Sequence, residues 1–184
     1  ESKDLVRFYY NDKEDVFDGV SYNKGGAILQ MLRSFVGDSA FFRALNLYLT
    51  SNKFKAAEAQ QLRLAFEEVT GKDLTWFWNQ WYYGAGHAKL NINYSYDNNA
   101  KQARVIVQQT TDDIYSLPVK IDVWNGNTPT TYNVWVKNKI DTFSFSSSTK
   151  PSLINFDADK KLLAEKTENK TLEEYMFQYK TTPP

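Results

Sequence analysis

The spacing at which apolar residues recur changes once along the chain, and that change limits what the chain can fold into. From Ser21 to about Tyr83 they return at every third or fourth position, and from Leu90 to about Phe156 they alternate. The first spacing lines one side of a helix; the second lines one face of a strand. Between them lies Gly84-Ala85-Gly86, a backbone hinge at the point where the pattern breaks. The fold class read from this is α+β in two parts: an N-terminal helical bundle, an antiparallel β-sandwich, then a short C-terminal helix. The corresponding segments are 1–86 for the helices, 87–165 for the sandwich and 166–184 for a tail.

Within the helical part, the spacing predicts a first helix over 22–36, with Ser21 as N-cap and Gly37 just past its end. Its apolar face is Ile28, Met31, Leu32, Phe35 and Val36. A second helix follows Asp38 and sets Phe41, Phe42, Leu45, Tyr48 and Leu49 on one side. The third covers about 56–70, with Leu62, Ala65, Phe66 and Val69 inward and Gly71 as its stop. Asp73 then caps a fourth, whose inner face is Leu74, Phe77, Trp78 and Trp81.

The alternating part predicts strands in "LNINYSY", "ARVIVQQ", "LPVKIDVW", "TYNVWVK", "DTFSFSS" and "SLINFD". Asn125-Gly126-Asn127 is the strongest hairpin signal among the turns. After these the chain changes character again, and "LLAEKTENK" is polar. Thr171 and Glu174 have capping-box spacing ahead of a helix with Leu172, Tyr175, Met176 and Tyr179 along one side. That helix either opens a further helical domain or docks back on the sandwich.

Charge and composition remove several function classes. Lys plus Arg and Asp plus Glu are both 22, so no basic surplus points to nucleic acid or an anionic membrane. No run approaches the roughly 18 apolar residues of a spanning helix, and the opening Glu1-Ser2-Lys3-Asp4 lacks the form of a secretory signal. Cysteine is absent, which excludes disulfides and thiolate chemistry. The single histidine, His87, cannot supply the two imidazoles of a His-Glu-x-x-His zinc site and reads as a structural hinge residue. The acidic pairs Glu67-Glu68 and Asp112-Asp113 read as solvated surface, and Asp157 with Asp159 lacks the glycine and distal glutamate of a calcium loop. Asn169-Lys170-Thr171 fits a glycosylation acceptor, a frequent match whose Thr171 has a capping role.

The stretch "VSYNKGGAILQML" raises a sharper question, because two adjacent glycines oppose helix formation by about 1 kcal/mol each relative to alanine. A tyrosine at a helix start ahead of glycines can aim its phenol into a cleft and donate to an oxyanion. Taken by itself, Tyr22 reads by default as a core residue.

The words around it resemble the back half of the catalytic domain of the aminopeptidase N family of gluzincin zinc metallopeptidases. Tyr22-Asn23-Lys24-Gly25 resembles that family's Tyr-x-Lys-Gly. Phe41, Leu45, Tyr48 and Leu49 follow its next pattern, and "GKDLTWFWNQW" resembles its Gly-x-Asp-Leu-x-x-Phe-x-x-x-Trp. Gln61-Leu62 stands where the family tends to have Asp-Leu, and Ala88 where it usually has proline. The resemblance implies a fragment of an enzyme that hydrolyses N-terminal residues from peptides, with Tyr22 donating a hydrogen bond to the scissile carbonyl. It implies zinc in the full-length parent, held by an upstream segment not found in this sequence, and neither metal site nor activity in this piece. It also implies that the glycines let the helix lie close against the metal-bearing helix. Two other readings are a sugar- or peptide-binding sandwich using Trp124 and Trp135, and a non-catalytic peptidase-like scaffold.

Overall fold

The computed structural model describes residues 4–181 and divides into two compact units, Glu1–Gly86 and His87–Pro184. The helical unit contains a 3-10 turn (Lys13–Val16), a π-helical turn (Val20–Lys24), and α1 (Gly25–Val36), α2 (Asp38–Ser51), α3 (Ala59–Thr70) and α4 (Thr75–Trp81). Its core is Ile28, Met31 and Leu32 from α1, Phe41 and Ala44 from α2, Ala65 and Phe66 from α3, and Leu74, Phe77, Trp78 and Trp81 around α4. Each fully buried large side chain contributes about 1.5–3 kcal/mol, and most of them fall where the helical spacing puts them. The second helix differs from expectation. Phe42 and Leu49 face outward, because the α2 stripe that meets α3 runs through Phe41 and Ala44.

The helix ends follow from local chemistry. Gly37 (φ 85°) and Gly71 (φ 65°) take positive φ at the ends of α1 and α3, and their N–H groups bond Arg33 and Glu67 carbonyls at 2.8 Å each. α3 starts three residues later than the spacing suggested, at a capping box in which Glu58 N–H donates to Gln61 Oε1 at 2.8 Å. Asp73 acts at the start of α4, its Oδ1 accepting from Thr75 N–H at 2.8 Å. Glu67, read as solvated, is instead structural. Its Oε1 accepts from Arg63 Nη1 at 2.7 Å and from Leu74 N–H at 2.8 Å, tying α3 to the entry of α4.

Among its described residues the second unit has seven strands in two sheets, ordered β5-β2-β1-β7 and β4-β3-β6, followed by α5 (Leu172–Thr181). The strands are β1 (Ala88–Asp97), β2 (Gln102–Gln109), β3 (Leu117–Trp124), β4 (Pro129–Val136), β5 (Ile140–Ser146), β6 (Leu153–Phe156) and β7 (Ala164–Glu168). Buried positions alternate along β2 and β3 as expected. Tyr132 of β4 and Phe145 of β5 bring the two sheets into contact, their ring centroids 4.3 Å apart. The β3–β4 hairpin turns through Gly126 (φ 85°). The β1–β2 turn is held by Asp97 Oδ1, which accepts from Asn99 and Ala100 N–H at 3.0 Å each.

Two features of this unit depart from the sequence reading. The polar stretch "LLAEKTENK", which carries no strand expectation, contains β7, and β7 pairs parallel to β1 with Leu90 opposite Lys166, so that sheet is mixed rather than antiparallel throughout. The loop before it is held by Asp157, buried at φ 51°, whose carboxylate accepts from Lys166 Nζ at 2.6 Å and from Lys161 N–H at 3.0 Å. α5 begins at the expected capping box, with Thr171 N–H to Glu174 Oε2 at 2.7 Å. Yet Leu172, Tyr175, Met176 and Tyr179 are all exposed; the side that docks on the sheet uses Phe177 against Trp124, with centroids 5.6 Å apart. Residues 182–184 of the expected tail lie outside the described residues.

Candidate active-site segment

The phenol of Tyr22 is carried on the π-helical turn Val20–Lys24, immediately before α1. Such i→i+5 turns are rare and short, and they often occur at functional sites. Asp18, rather than the expected Ser21, opens the turn: its Oδ1 accepts from Ser21 N–H at 3.1 Å and its carbonyl from Tyr22 N–H at 3.2 Å. A carboxylate three residues before the N–H it caps is the usual N-cap geometry. The hydroxyl of Ser21 donates to the Val16 carbonyl and also lies 3.4 Å from Asp18 Oδ1. Asp18 is in turn held by Arg7, whose Nη2 lies 3.0 and 2.9 Å from its two oxygens, while Arg7 Nη1 donates to the Asp15 carbonyl at 2.8 Å.

The turn has two sides. Tyr22 is 61% exposed and not in the core; its ring meets Phe17 edge-on, with centroids 5.2 Å apart. Gly26, one turn further on, shares that outer side, and a Cβ built on it would meet nothing within 4 Å. Lys24 shares the inner side with Ile28, which is fully buried. The Lys24 ammonium donates to the Gly84 carbonyl at 3.0 Å. Burial pushes its pKa below the ordinary lysine value, against a smaller upward pull from Asp4. A Cβ built on Gly25 would meet a Leu5 methyl at 3.6 Å, an ordinary van der Waals contact. Within the described residues, the glycines therefore leave one face open instead of relieving a close contact.

The remaining candidates do not join this segment. Trp78 and Trp81 lie in the helical core, and Trp78 Nε1 donates to the Ala59 carbonyl at 2.9 Å. Trp76, off the buried face, packs edge-on against Phe35 at 5.7 Å. His87 bonds Glu165 Oε1 through Nε2 at 2.7 Å, a bond that holds Glu165 below the usual carboxylate range, with Lys89 adding to the effect. Among the described residues, no three His, Cys, Asp or Glu side chains lie together as a metal site would need. Trp124 is covered by Phe177 and is no open platform; Trp135 is more exposed, with Lys137 Nζ 4.6 Å from its ring centroid. The roles of Arg7, Asp18 and Lys24 were not recognised from sequence. The one signal for them was an aspartate placed three residues before Ser21, where an N-cap belongs.

Comparison with known proteins follows the same segment. The profile of the peptidase family M1 domain matches residues 6–81, which take in Arg7, Asp18, Tyr22, Lys24 and the four helices. That segment is similar to part of an M1 peptidase domain. Similar sequences include "Probable aminopeptidase 1" of Sulfurisphaera tokodaii, 31% identical over 119 residues, which cover 64% of this chain and 15% of that protein. Aminopeptidase N of Haemophilus influenzae is 28% identical over 114 residues, covering 58% and 13% respectively. The crystal structure of Legionella pneumophila aminopeptidase A in complex with aspartic acid has the same fold over 94% of this chain and 21% of that one. Its TM-score is 0.81 at 15% identity. The chain thus spans only a small part of the aminopeptidases it matches.

Proposed function

We propose that this chain is part of a zinc-dependent aminopeptidase that releases N-terminal residues from peptides, and that Tyr22 is its oxyanion-stabilising residue. On this reading residues 1–86 are the C-terminal part of the peptidase catalytic domain; the expected limit of the sandwich, 87–165, falls inside β7, so the sandwich that follows runs through Glu168 and α5 docks on it. The observation that carries the reading is the exposed phenol on a π-helical turn inside the segment that matches the M1 domain. The relatives' names as aminopeptidases support the substrate class.

On this reading the metal is held by another segment of the parent protein; among the described residues no three His, Cys, Asp or Glu side chains lie together. The task left to this chain is hydrogen bonding. When a peptide carbonyl oxygen gains negative charge, a neutral phenol held beside it donates without first having to reorganise. Removing one such donor typically costs about 2.7–4 kcal/mol of transition-state stabilisation.

The test uses a longer protein that contains the upstream catalytic segment. Tyr22→Phe is expected to lower kcat on an aminoacyl anilide by roughly 10²–10³ with bound metal unchanged. The 184-residue chain alone is expected to bind no catalytic zinc and cleave nothing. Full activity in Tyr22→Phe, or chelator-sensitive hydrolysis by the isolated chain, would refute the proposal.

A further inference from the structure

Lys24 lies two residues after Tyr22, and residues so spaced on a helical turn do not share a face. With Ile28 buried and Gly26 open, the turn has a fixed inner side and a free outer side. A π-helical turn is a rare, single-turn departure from α-helical geometry, so contacts from outside the turn bear on how it is held. Lys24 provides one: its ammonium reaches across the unit to the carbonyl of Gly84, 60 residues later in sequence and just beyond α4, at 3.0 Å. A half-buried ammonium is a costly anchor unless hydrogen-bonded, and the Gly84 carbonyl is one partner that meets this need. The neighbouring backbone is fastened to the same place, since Val6 N–H donates to the Tyr82 carbonyl at 2.9 Å.

We propose that Lys24 is the positioning residue for the Tyr22 phenol: by pinning the inner side of the π-helical turn to the Gly84 carbonyl, it fixes the direction in which the phenol leaves the outer side. The functional consequence rests on the reading of Tyr22 given above; the structural one does not. Lys24 touches neither substrate nor metal on this account. It acts through the turn, and a misplacement of about 1 Å in a catalytic group can lower a rate about a hundredfold.

Two readouts test this. In the 184-residue chain, the Phe17–Tyr22 ring contact is followed by NMR cross-peaks, with exchange of the Tyr22 amide measured alongside. Lys24→Met is expected to weaken the contact and speed the exchange while the Phe66 and Trp78 signals stay in place; Lys24→Arg, which keeps a donor, restores both. In the longer enzyme, Lys24→Met is expected to lower kcat about 10- to 100-fold with KM within about twofold, and Lys24→Arg to recover most of the loss. An unchanged ring contact in Lys24→Met overturns the proposal. So does an unchanged kcat, an equal loss in the Met and Arg variants, or uniform destabilisation without a selective effect at Tyr22. If Lys24→Met does not fold, Lys24→Gln takes its place in both measurements. An inactive wild-type parent would defeat the peptidase reading, whereas the ring contact would still decide the role of Lys24.

Discussion

Arg7 Nη2 sits between the two carboxylate oxygens of Asp18, 3.0 and 2.9 Å away, and Asp18 opens the turn that bears Tyr22. Both side chains are mostly shielded, at 15% and 28% exposure, so water weakens the pair less than it would a surface ion pair. Arg7→Met is expected to destabilise the helical unit by about 1.5–3 kcal/mol, the range for hydrogen bonds to charged groups. Urea unfolding monitored by tryptophan fluorescence measures it; a midpoint equal to wild type contradicts the anchoring role.

Glu67 joins α3 to α4 through Arg63 and the Leu74 N–H. Glu67→Ala leaves a half-shielded N–H and a guanidinium without this partner and is expected to cost about 1–3 kcal/mol. Glu68, one residue away and exposed, is the control, with Glu68→Ala within about 0.5 kcal/mol of wild type.

Trp78 and Tyr82 stack with centroids 4.7 Å apart and planes 3° from parallel, and the indole also donates to Ala59. Trp78→Ala is expected to cost about 3–5 kcal/mol, which is enough to unfold the helical unit near room temperature if it is only marginally stable. Trp78→Phe keeps most of the packing and should lose about 1 kcal/mol for the hydrogen bond, plus a smaller packing loss. Thermal unfolding by circular dichroism distinguishes the two.

Asp73 supplies the pH-dependent case. Hydrogen bonding to Thr75, first from its side chain and then from its backbone, holds the carboxyl below its ordinary value of 3.8. The folded chain therefore binds this proton less readily than the unfolded one. The stabilisation is complete above 3.8 and disappears as the pH falls through the lower, folded-state value. Asp73→Asn, which caps without titrating, is expected to show a smaller loss of melting temperature on acidification than wild type. Parallel pH curves for the two proteins would contradict this.

Where sequence periodicity and burial agree, the fold was legible. The inner face of α4, the capping box before α5 and the Asn-Gly turn all express short-range rules that no distant residue overrides. β7 was illegible for a physical reason: "AEKTE" offers almost no apolar contrast, and its place in the sheet comes from backbone pairing with β1. The face of α5 was misjudged because its spacing shows two apolar sides, and only contact with Trp124 selects Phe177. Tyr22 could be singled out from its neighbours, but its π-helical setting could not. That geometry depends on Arg7 and Gly84, which are far apart in sequence.

Gly84 has two tasks at once. Its carbonyl receives Lys24, and a Cβ added to it would lie 2.5 Å from the Gln80 carbonyl oxygen. Any larger residue there must shift the main chain and move the acceptor with it. A substitution in the loop beyond α4 would thus be felt at an aromatic side chain near the other end of the unit, which makes the two positions candidates for compensating change in any effort to redesign either one.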